Sequence, residues 1–306
     1  MRYTLKQLAY FVATAEAGSI TAAARALHIS QPSISAAIAQ LESTFGLELF
    51  IRHHAQGLGL TPTGQRLLAE ARSLLAQARD FHDGAIELAE GVAGEIDVGC
   101  FITFAPMVIP GLLRAMRQEH PEIRVRLHEL HIEGLLEGLR EGRFDLALTY
   151  DLNIGADMTF EPLADVPLHV MLAADHPFAD RSAIALRDLI DEPFILLALP
   201  GSRDYFLSLF YGLSLQPQVA HESPSFEMVR GLVANGYGYS VMHSRPVNDV
   251  ALDGMRLVYR PVAEPLRPTR LGLLRRQDLR ERRIAGLFAT LCRAWFDRRA
   301  PFDGDV

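Results

Sequence analysis

The run Ser30-Gln31-Pro32-Ser33-Ile34-Ser35 places three hydroxyls and a carboxamide at the start of an apolar-periodic stretch. Small side chains that both donate and accept hydrogen bonds suit base edges and backbone phosphates. That is the chemistry of a helix whose N-terminal end enters the DNA major groove. Ser30 is placed to cap such a helix, and Pro32 is tolerated in its first turn, where a missing N–H costs little. Ile34, Ile38, Leu41 and Phe45 recur at helical spacing and mark the core side. Gln31, Ser33 and Ser35 are left on the outward side.

The flanking residues predict the elements that hold this cluster. Thr4 followed by Gln7 reads as a capping box, after which Leu5, Leu8, Val12 and Ala15 mark one helical face. Gly18 ends that helix and Ser19 caps the next. There Ala22, Ala23, Ala24 and Leu27 give a small-residue face for close packing. Beyond Gly46, Leu47 and Leu49-Phe50 read as a short strand. The glycines of Arg52-His53-His54-Ala55-Gln56-Gly57-Leu58-Gly59-Leu60 suit a hairpin wing, whose Arg52, His53 and His54 are further candidate DNA contacts. The residues alone also allow a small helical bundle with Ser-rich turns.

The ordered string Ala22-Ala23-Ala24, Leu27-His28-Ile29-Ser30-Gln31-Pro32-Ser33-Ile34-Ser35, Ile38, Leu41-Glu42, Gly46, Leu49-Phe50, Arg52 and Leu60-Thr61-Pro62-Thr63-Gly64 resembles the winged helix-turn-helix of LysR-type transcriptional regulators. The resemblance implies a DNA-binding transcription factor with an effector-sensing C-terminal domain. Ala36, Ala37 and Ala39 stand where many members carry polar groups, so fewer direct contacts from this helix are expected. DNA shape would then share the readout.

Thr61 caps a helix beginning at Pro62. Leu67, Leu74, Phe81 and Leu88 recur every seven residues, with Ala71, Ala78 and Ala85 forming a parallel row. A 3.5-residue repeat is the signature of helices winding around a partner. The alternative is an amphipathic helix lying on its own domain. The family resemblance implies antiparallel pairing of this linker in a dimer.

Past Glu90-Gly91-Val92-Ala93-Gly94 the pattern changes to strand, helix, strand, helix, strand. It runs through Ile96-Val98-Cys100, a helix over about 104–119, Ile123-Val125-Leu127, Leu135-Leu136-Leu139 and Phe144–Tyr150. That rhythm predicts a parallel sheet with helical crossovers. A second set runs through 168–172, 194–197 and 238–242, with strand 269–274 and a helix over about 279–297 returning to the first lobe. The expected organisation is residues 1–61 as the DNA-binding domain, 62–89 as the linker helix, 90–94 as a hinge and 95–306 as an α/β regulatory domain. Lobe I takes about 95–163 and 267–300, and lobe II about 164–266.

Phe144-Asp145-Leu146-Ala147-Leu148 and Leu232-Val233-Ala234-Asn235-Gly236-Tyr237-Gly238 resemble recurrent strings of the LysR-type effector domain, which is similar to type 2 periplasmic binding proteins. His243 stands where a Pro is usual. Strand ends and helix starts then nominate cleft residues. They are Thr103, His131, Thr149 and Tyr150 from the first lobe, and Ser202, Arg203, Ser225 and Phe226 from the second. A capping role for Thr103 and Ser202, and a solvated surface for His131, are the plainer alternatives. A small organic anion is the expected effector, aromatic if Tyr150, Tyr205 and Phe226 face it.

Composition sets the class. With 49% hydrophobic and 22% charged residues among 306, the chain suits two or three soluble domains with real cores. The net charge of −7 lies outside the DNA-binding segment. There Arg2, Lys6, Arg25 and Arg52 outnumber Glu16, Glu42 and Glu48 by one, so modest nonspecific affinity is expected. No membrane-length apolar run or secretory leader is evident, and Cys100 and Cys292 form no zinc or CxxC spacing, which predicts a reduced, cytoplasmic protein. His128-Glu129-Leu130-His131 is not HExxH, and no GxSxG, P-loop or GxGxxG occurs. Arg275, Arg276, Arg280, Arg282 and Arg283 alternate with acids as a solvated helix face. No catalytic residue, metal or cofactor is expected. The expected partners are double-stranded promoter DNA, a small effector, RNA polymerase if the protein activates, and a second or fourth copy of the chain, with no membrane. The rival class is a solute-binding protein or enzyme carrying the same α/β fold; a regulator whose cleft stays empty is a third reading.

Overall fold

A computed structural model describes residues 2–53, 57–90, 93–277 and 281–298, with side chains omitted at 52, 53, 57, 79, 80 and 83–90. Two compact units result, the first reaching Ala93 and taking in Gly138–Arg143, the second holding the rest from Gly94.

The first unit contains α1 (Leu5–Ala17), α2 (Ile20–Ala26), α3 (Gln31–Phe45), β1 (Phe50–His53), β2 (Gly57–Leu60) and α4 (Pro62–Glu90). The capping box at α1 forms: the Gln7 N–H donates to Thr4 Oγ1 at 3.2 Å, and the Thr4 N–H donates to Gln7 Oε1 at 2.8 Å. Gly18, at φ 57°, turns the chain out of α1, and Ser19 Oγ accepts the Ala22 N–H at 3.4 Å. Between α2 and α3 the Ile29 N–H reaches Ala24 O at 3.0 Å and the His28 N–H reaches Arg25 O at 3.2 Å. This is a Schellman closure with His28, at φ 54°, where glycine is usual.

Phe11 is fully buried with Leu8, Leu41, Leu49, Leu68 and Ala71; Tyr10, Ala23, Ala24, Ile34 and Ile38 form a second cluster. The buried face of α1 therefore differs from the expected one. Leu5 is 47% exposed, while Tyr10, Phe11 and Thr14 are enclosed, because α1 is covered on two sides. β1 and β2 form the antiparallel hairpin, in register Phe50↔Leu60 to His53↔Gly57. Glu42 ties α3 to it, its Oε1 accepting the Leu49 N–H at 2.8 Å. Thr61 Oγ1 caps α4 through the Gly64 N–H at 2.8 Å.

In the second unit the elements are β3 (Gly94–Phe101), α5 (Ala105–Glu119), β4 (Ile123–Leu130), α6 (Ile132–Arg140), β5 (Leu146–Tyr150), β6 (Met158–Val166), β7 (His169–Ala173), β8 (Pro193–Leu197), α7 (Ser202–Gly212), β9 (Gln218–Ser223), α8 (Phe226–Ala234), β10 (Ser240–Met242), β11 (Leu257–Pro261), β12 (Thr269–Arg276) and α9 (Arg283–Asp297). The first lobe's sheet has the order β4-β3-β5-β12-β6. The second lobe has β10-β7-β11 and β8-β9, linked by a bridge between Phe194 and Tyr239.

The first three strands are parallel as expected, β3 pairing with β4 and β5, while the returning β12 runs antiparallel to both β5 and β6. Strands β6, β9 and β11 were not expected. β6 carries Pro162 and no clean alternation, and β9 is almost wholly exposed, so neither shows an apolar period. The chain passes between lobes from β6 into β7 and from β11 into β12. At that crossing Val166 pairs with Thr269.

Truncating Phe11 to Ala should destabilise the first unit by about 3–5 kcal/mol, as for other buried aromatic residues. Urea unfolding of the intact chain, followed by a probe in that unit, measures it; an unchanged midpoint would show that Phe11 is not the keystone of its cluster.

Candidate functional site

Two surfaces hold the nominated residues. On α3, the backbone start follows from the Schellman turn and from Pro32 in the first turn. Ser30, Gln31, Pro32 and Ser33 are exposed, Ser35 is half-buried, and Ile34, Ile38 and Leu41 are buried beneath them. Ser30 occupies the cap position but makes no capping bond, since its hydroxyl meets Ser33 Oγ at 2.7 Å. Ala36 and Ala39 are exposed on the same helix. The side chains of Arg52 and His53, and all of His54, lie outside the described residues.

The linker seam divides. Ala71 is buried in the Phe11 cluster, and Leu67 and Leu74 pack against it, so these three belong to their own unit. A 3.5-residue repeat covers one side of a helix, and the first turns of that side meet α1. Further along, Phe81 is 82% exposed and Ala78 half-buried, while the Ala85 and Leu88 side chains lie outside the described residues.

In the second unit a cavity opens between the lobes, about 330 Å³ counting its solvent-open mouth, lined in part by Thr103, Tyr150, Ser202 and Phe226. The first lobe adds Phe101 and Leu152. The second lobe adds Leu197, Tyr205, Phe206, Met242, His243 and Ser244. Thr103 follows β3, Tyr150 ends β5, Ser202 opens α7 and Phe226 opens α8, so strand ends and helix starts converge as expected.

The other four nominated cleft residues do not line it. Thr149 is one residue from Tyr150 on a strand and so faces the opposite side of the sheet, its Oγ1 buried without a partner. His131 accepts the Gly134 N–H at its Nδ1 (3.2 Å) and starts α6. Ser225 caps α8 through the Met228 N–H at 3.3 Å. Arg203 turns outward to Glu222, at 3.0 Å.

Two hydrogen-bond groups frame the cavity. Ser244 Oγ lies 2.9 Å from Tyr150 Oη and 3.4 Å from Thr103 Oγ1. Opposite, His243 Nε2 lies 2.7 Å from Tyr205 Oη and 3.1 Å from Thr269 Oγ1, while its Nδ1 meets Val166 O at 3.2 Å. A carbonyl can only accept, so Nδ1 carries the proton and Nε2 accepts from a hydroxyl. Burial depresses the His243 pKa to about 4, against the opposing pull of the Val166 and Pro167 carbonyls. Burial likewise raises the Tyr150 hydroxyl, against the bonds from Ser244 and Thr103. Ser202 is 4% exposed and lines the cavity. His243 was flagged by its replacement of a usual Pro; Ser244, Phe206 and Leu197 carried no signal of spacing.

Residues 5–65 match the family described as bacterial regulatory helix-turn-helix protein, lysR family, and residues 89–297 match the LysR substrate binding domain. The chain belongs to the LysR family of transcriptional regulators. It is 31% identical over 269 residues to the uncharacterized HTH-type transcriptional regulator YnfL of Escherichia coli, covering 86% of this chain and 89% of that one. A hydrogen peroxide-inducible genes activator of Dickeya chrysanthemi is 28% identical over 279 residues, covering 86% and 91%. The crystal structure of HinK, a LysR family regulator of Pseudomonas aeruginosa, is similar with a TM-score of 0.65 and 41% identity over 96% of this chain and 99% of that one. This LysR-family chain is thus a DNA-binding regulator with an effector-binding domain of two lobes. Among the described residues no helix is long and apolar enough to cross a membrane.

Because folded His243 is held neutral, the unfolded chain binds the additional proton between pH 6.5, the ordinary histidine value, and about 4. Stability should therefore fall as pH drops through that window, and this group should contribute no slope above it. His243→Gln should remove about 3 kcal/mol of the acid-side loss. Parallel urea melts of both chains from pH 7 to 4 check this, and identical slopes would exclude His243 as the titrating group.

Proposed function

We propose that this LysR-family regulator binds partly symmetric promoter DNA as a homodimer or homotetramer in the cytoplasm. A small organic effector entering the cavity beside Ser202 shifts the equilibrium between two of its conformations. The observation that carries the reading is an exposed polar helix start in the same chain as a cavity between two lobes, lined by rings and a few hydroxyls. Gln31, Ser33 and Ser35 supply base-edge and phosphate hydrogen bonds, with Ser30, Pro32 and the wing residues Arg52, His53 and His54 positioning the helix. Where the protein activates, RNA polymerase is its further partner. Phe81 is the anchor through which the linker meets a second copy, since it presents a large apolar side chain to solvent.

The peroxide response named for the Dickeya relative does not carry over. Peroxide oxidises a thiolate, which needs an accessible cysteine of low pKa. Cys100 and Cys292 are both buried, and burial pushes both thiols up. The effector is therefore bound, not reacted with.

Gln31→Ala should weaken binding to a duplex that the protein selects from random sequence by about 1–3 kcal/mol, with nonspecific affinity preserved. Fluorescence anisotropy with specific and scrambled duplexes measures both, and equal losses on the two would remove Gln31 from sequence reading.

Ala78→Glu should yield monomers in sedimentation and abolish promoter binding. A DNA-competent dimer of that variant would rule out the linker seam.

A further inference from the structure

Charge is the property of the cavity that the sequence did not reveal. None of its lining residues is Lys, Arg, Asp or Glu. Three nearby guanidinium groups are already engaged. Arg203 bonds Glu222, Arg270 bonds Asp151, and Arg230 is held by Glu227, the Tyr259 hydroxyl and the carbonyls of Asn248 and Val250. His243 spends its only N–H on a backbone carbonyl and presents the cavity side with an acceptor already taken.

Three helix starts face the same space and would ordinarily favour an anion. Here part of that favour is consumed. The first turns of α7 and α8 contain Asp204 and Glu227, which already complement the local dipoles. The Ser202 and Arg203 N–H groups both go to Leu199 O, the Met228 N–H goes to Ser225, and in α5 Pro106 has no N–H while Met107 and Val108 bond Phe104 O. A carboxylate placed here would exchange water for hydroxyl dipoles with no countercharge, an arrangement that disfavours the ionised form.

What the cavity does offer is ring surface and neutral hydrogen bonds. Five aromatic rings, those of Phe101, Tyr150, Tyr205, Phe206 and Phe226, line it beside the His243 imidazole. The whole space, mouth included, is about 330 Å³, a slot walled by rings that limits its occupant to a small molecule. At one end stands Ser202, whose hydroxyl can both donate and accept. We infer that the cavity takes an uncharged, flat, single-ring molecule bearing a hydroxyl or carbonyl that bonds Ser202, in place of the anion expected from sequence. The inference rests on the proposal that this cavity is the effector site.

Matched pairs of neutral and anionic ring compounds separate the alternatives: benzamide and benzoate, salicylamide and salicylate, nicotinamide and nicotinate. Each is titrated into the full-length protein at pH 7.5 and followed by calorimetry and thermal shift. At least one amide should bind, at least about tenfold tighter than its carboxylate. Ser202→Ala should weaken that amide about tenfold, the scale of one hydrogen bond. Leu152→Trp, which fills the slot, should abolish binding; Thr103→Val, which removes a lining hydroxyl, serves as a second cavity variant if Leu152→Trp does not fold. A carboxylate that binds as tightly or tighter and is sensitive to these variants overturns the charge class while leaving the cavity as the effector site. Binding that neither variant alters overturns the cavity assignment itself. No binding by any of the pairs overturns the single-ring class.

Discussion

The pairing of β6 with β12 is the constraint on which the regulatory unit depends. These are the strands that enter and leave the second lobe, and they stay antiparallel from Val166↔Thr269 to Met158↔Arg276. The register shifts between Leu271 and Gly272, and a Cβ at Gly272 would stand 2.2 Å from the Glu161 carbonyl oxygen. Glycine is needed there for close backbone approach, not for an unusual φ. Glu161 is held in turn by Arg275 on β12, at 2.8 Å, and by Arg293 on α9. Sheet, crossover and final helix therefore share one carboxylate. Its pKa is lowered, chiefly by the hydrogen bond from Arg293.

The same crossing carries the cavity wall. His243 bonds Val166 O on the departing strand and meets Thr269 on the returning one, while its other contact is the Tyr205 hydroxyl that lines the cavity. A molecule that displaces Tyr205 would leave the Thr269 hydroxyl as the donor to the buried imidazole. Such a molecule shifts the protein only by the difference in its affinity for the two arrangements. Ser202, which lines the cavity, is where the proposed effector would gain new affinity. The His243 group, already satisfied, is where affinity would have to be repaid.

Much of this was legible from sequence. Caps and periodicity located α1 to α4, because local chemistry decides where a helix starts and which residues it buries. Strands with both faces covered, such as Leu146–Tyr150, announced themselves as apolar runs. Strand β9 did not, because at a sheet edge only Ser223 is enclosed. For the cavity, strand ends and helix starts identified Thr103, Tyr150, Ser202 and Phe226. Thr149 failed because adjacent strand residues face opposite ways, and both could not line one space. Arg203 failed because a long side chain follows the nearest carboxylate, Glu222, which is distant in sequence. The linker repeat was real, but its first turns found α1, and spacing alone cannot say which surface a seam covers.

The DNA-reading surface is economical in charge. One net positive charge over the first 60 residues releases few counterions, and exposed Ala36 and Ala39 add no hydrogen bonds. What remains in the proposed contact is a short cluster of neutral donors and acceptors on α3, which would discriminate among base pairs better than it adheres to any of them. A single copy of such a surface binds weakly everywhere. Two copies held at a fixed separation turn the second contact into an intramolecular event, so affinity multiplies only where both half-sites are present. Low charge and duplication therefore reinforce each other: the first suppresses binding to the wrong sequence, and the second restores it at the right one.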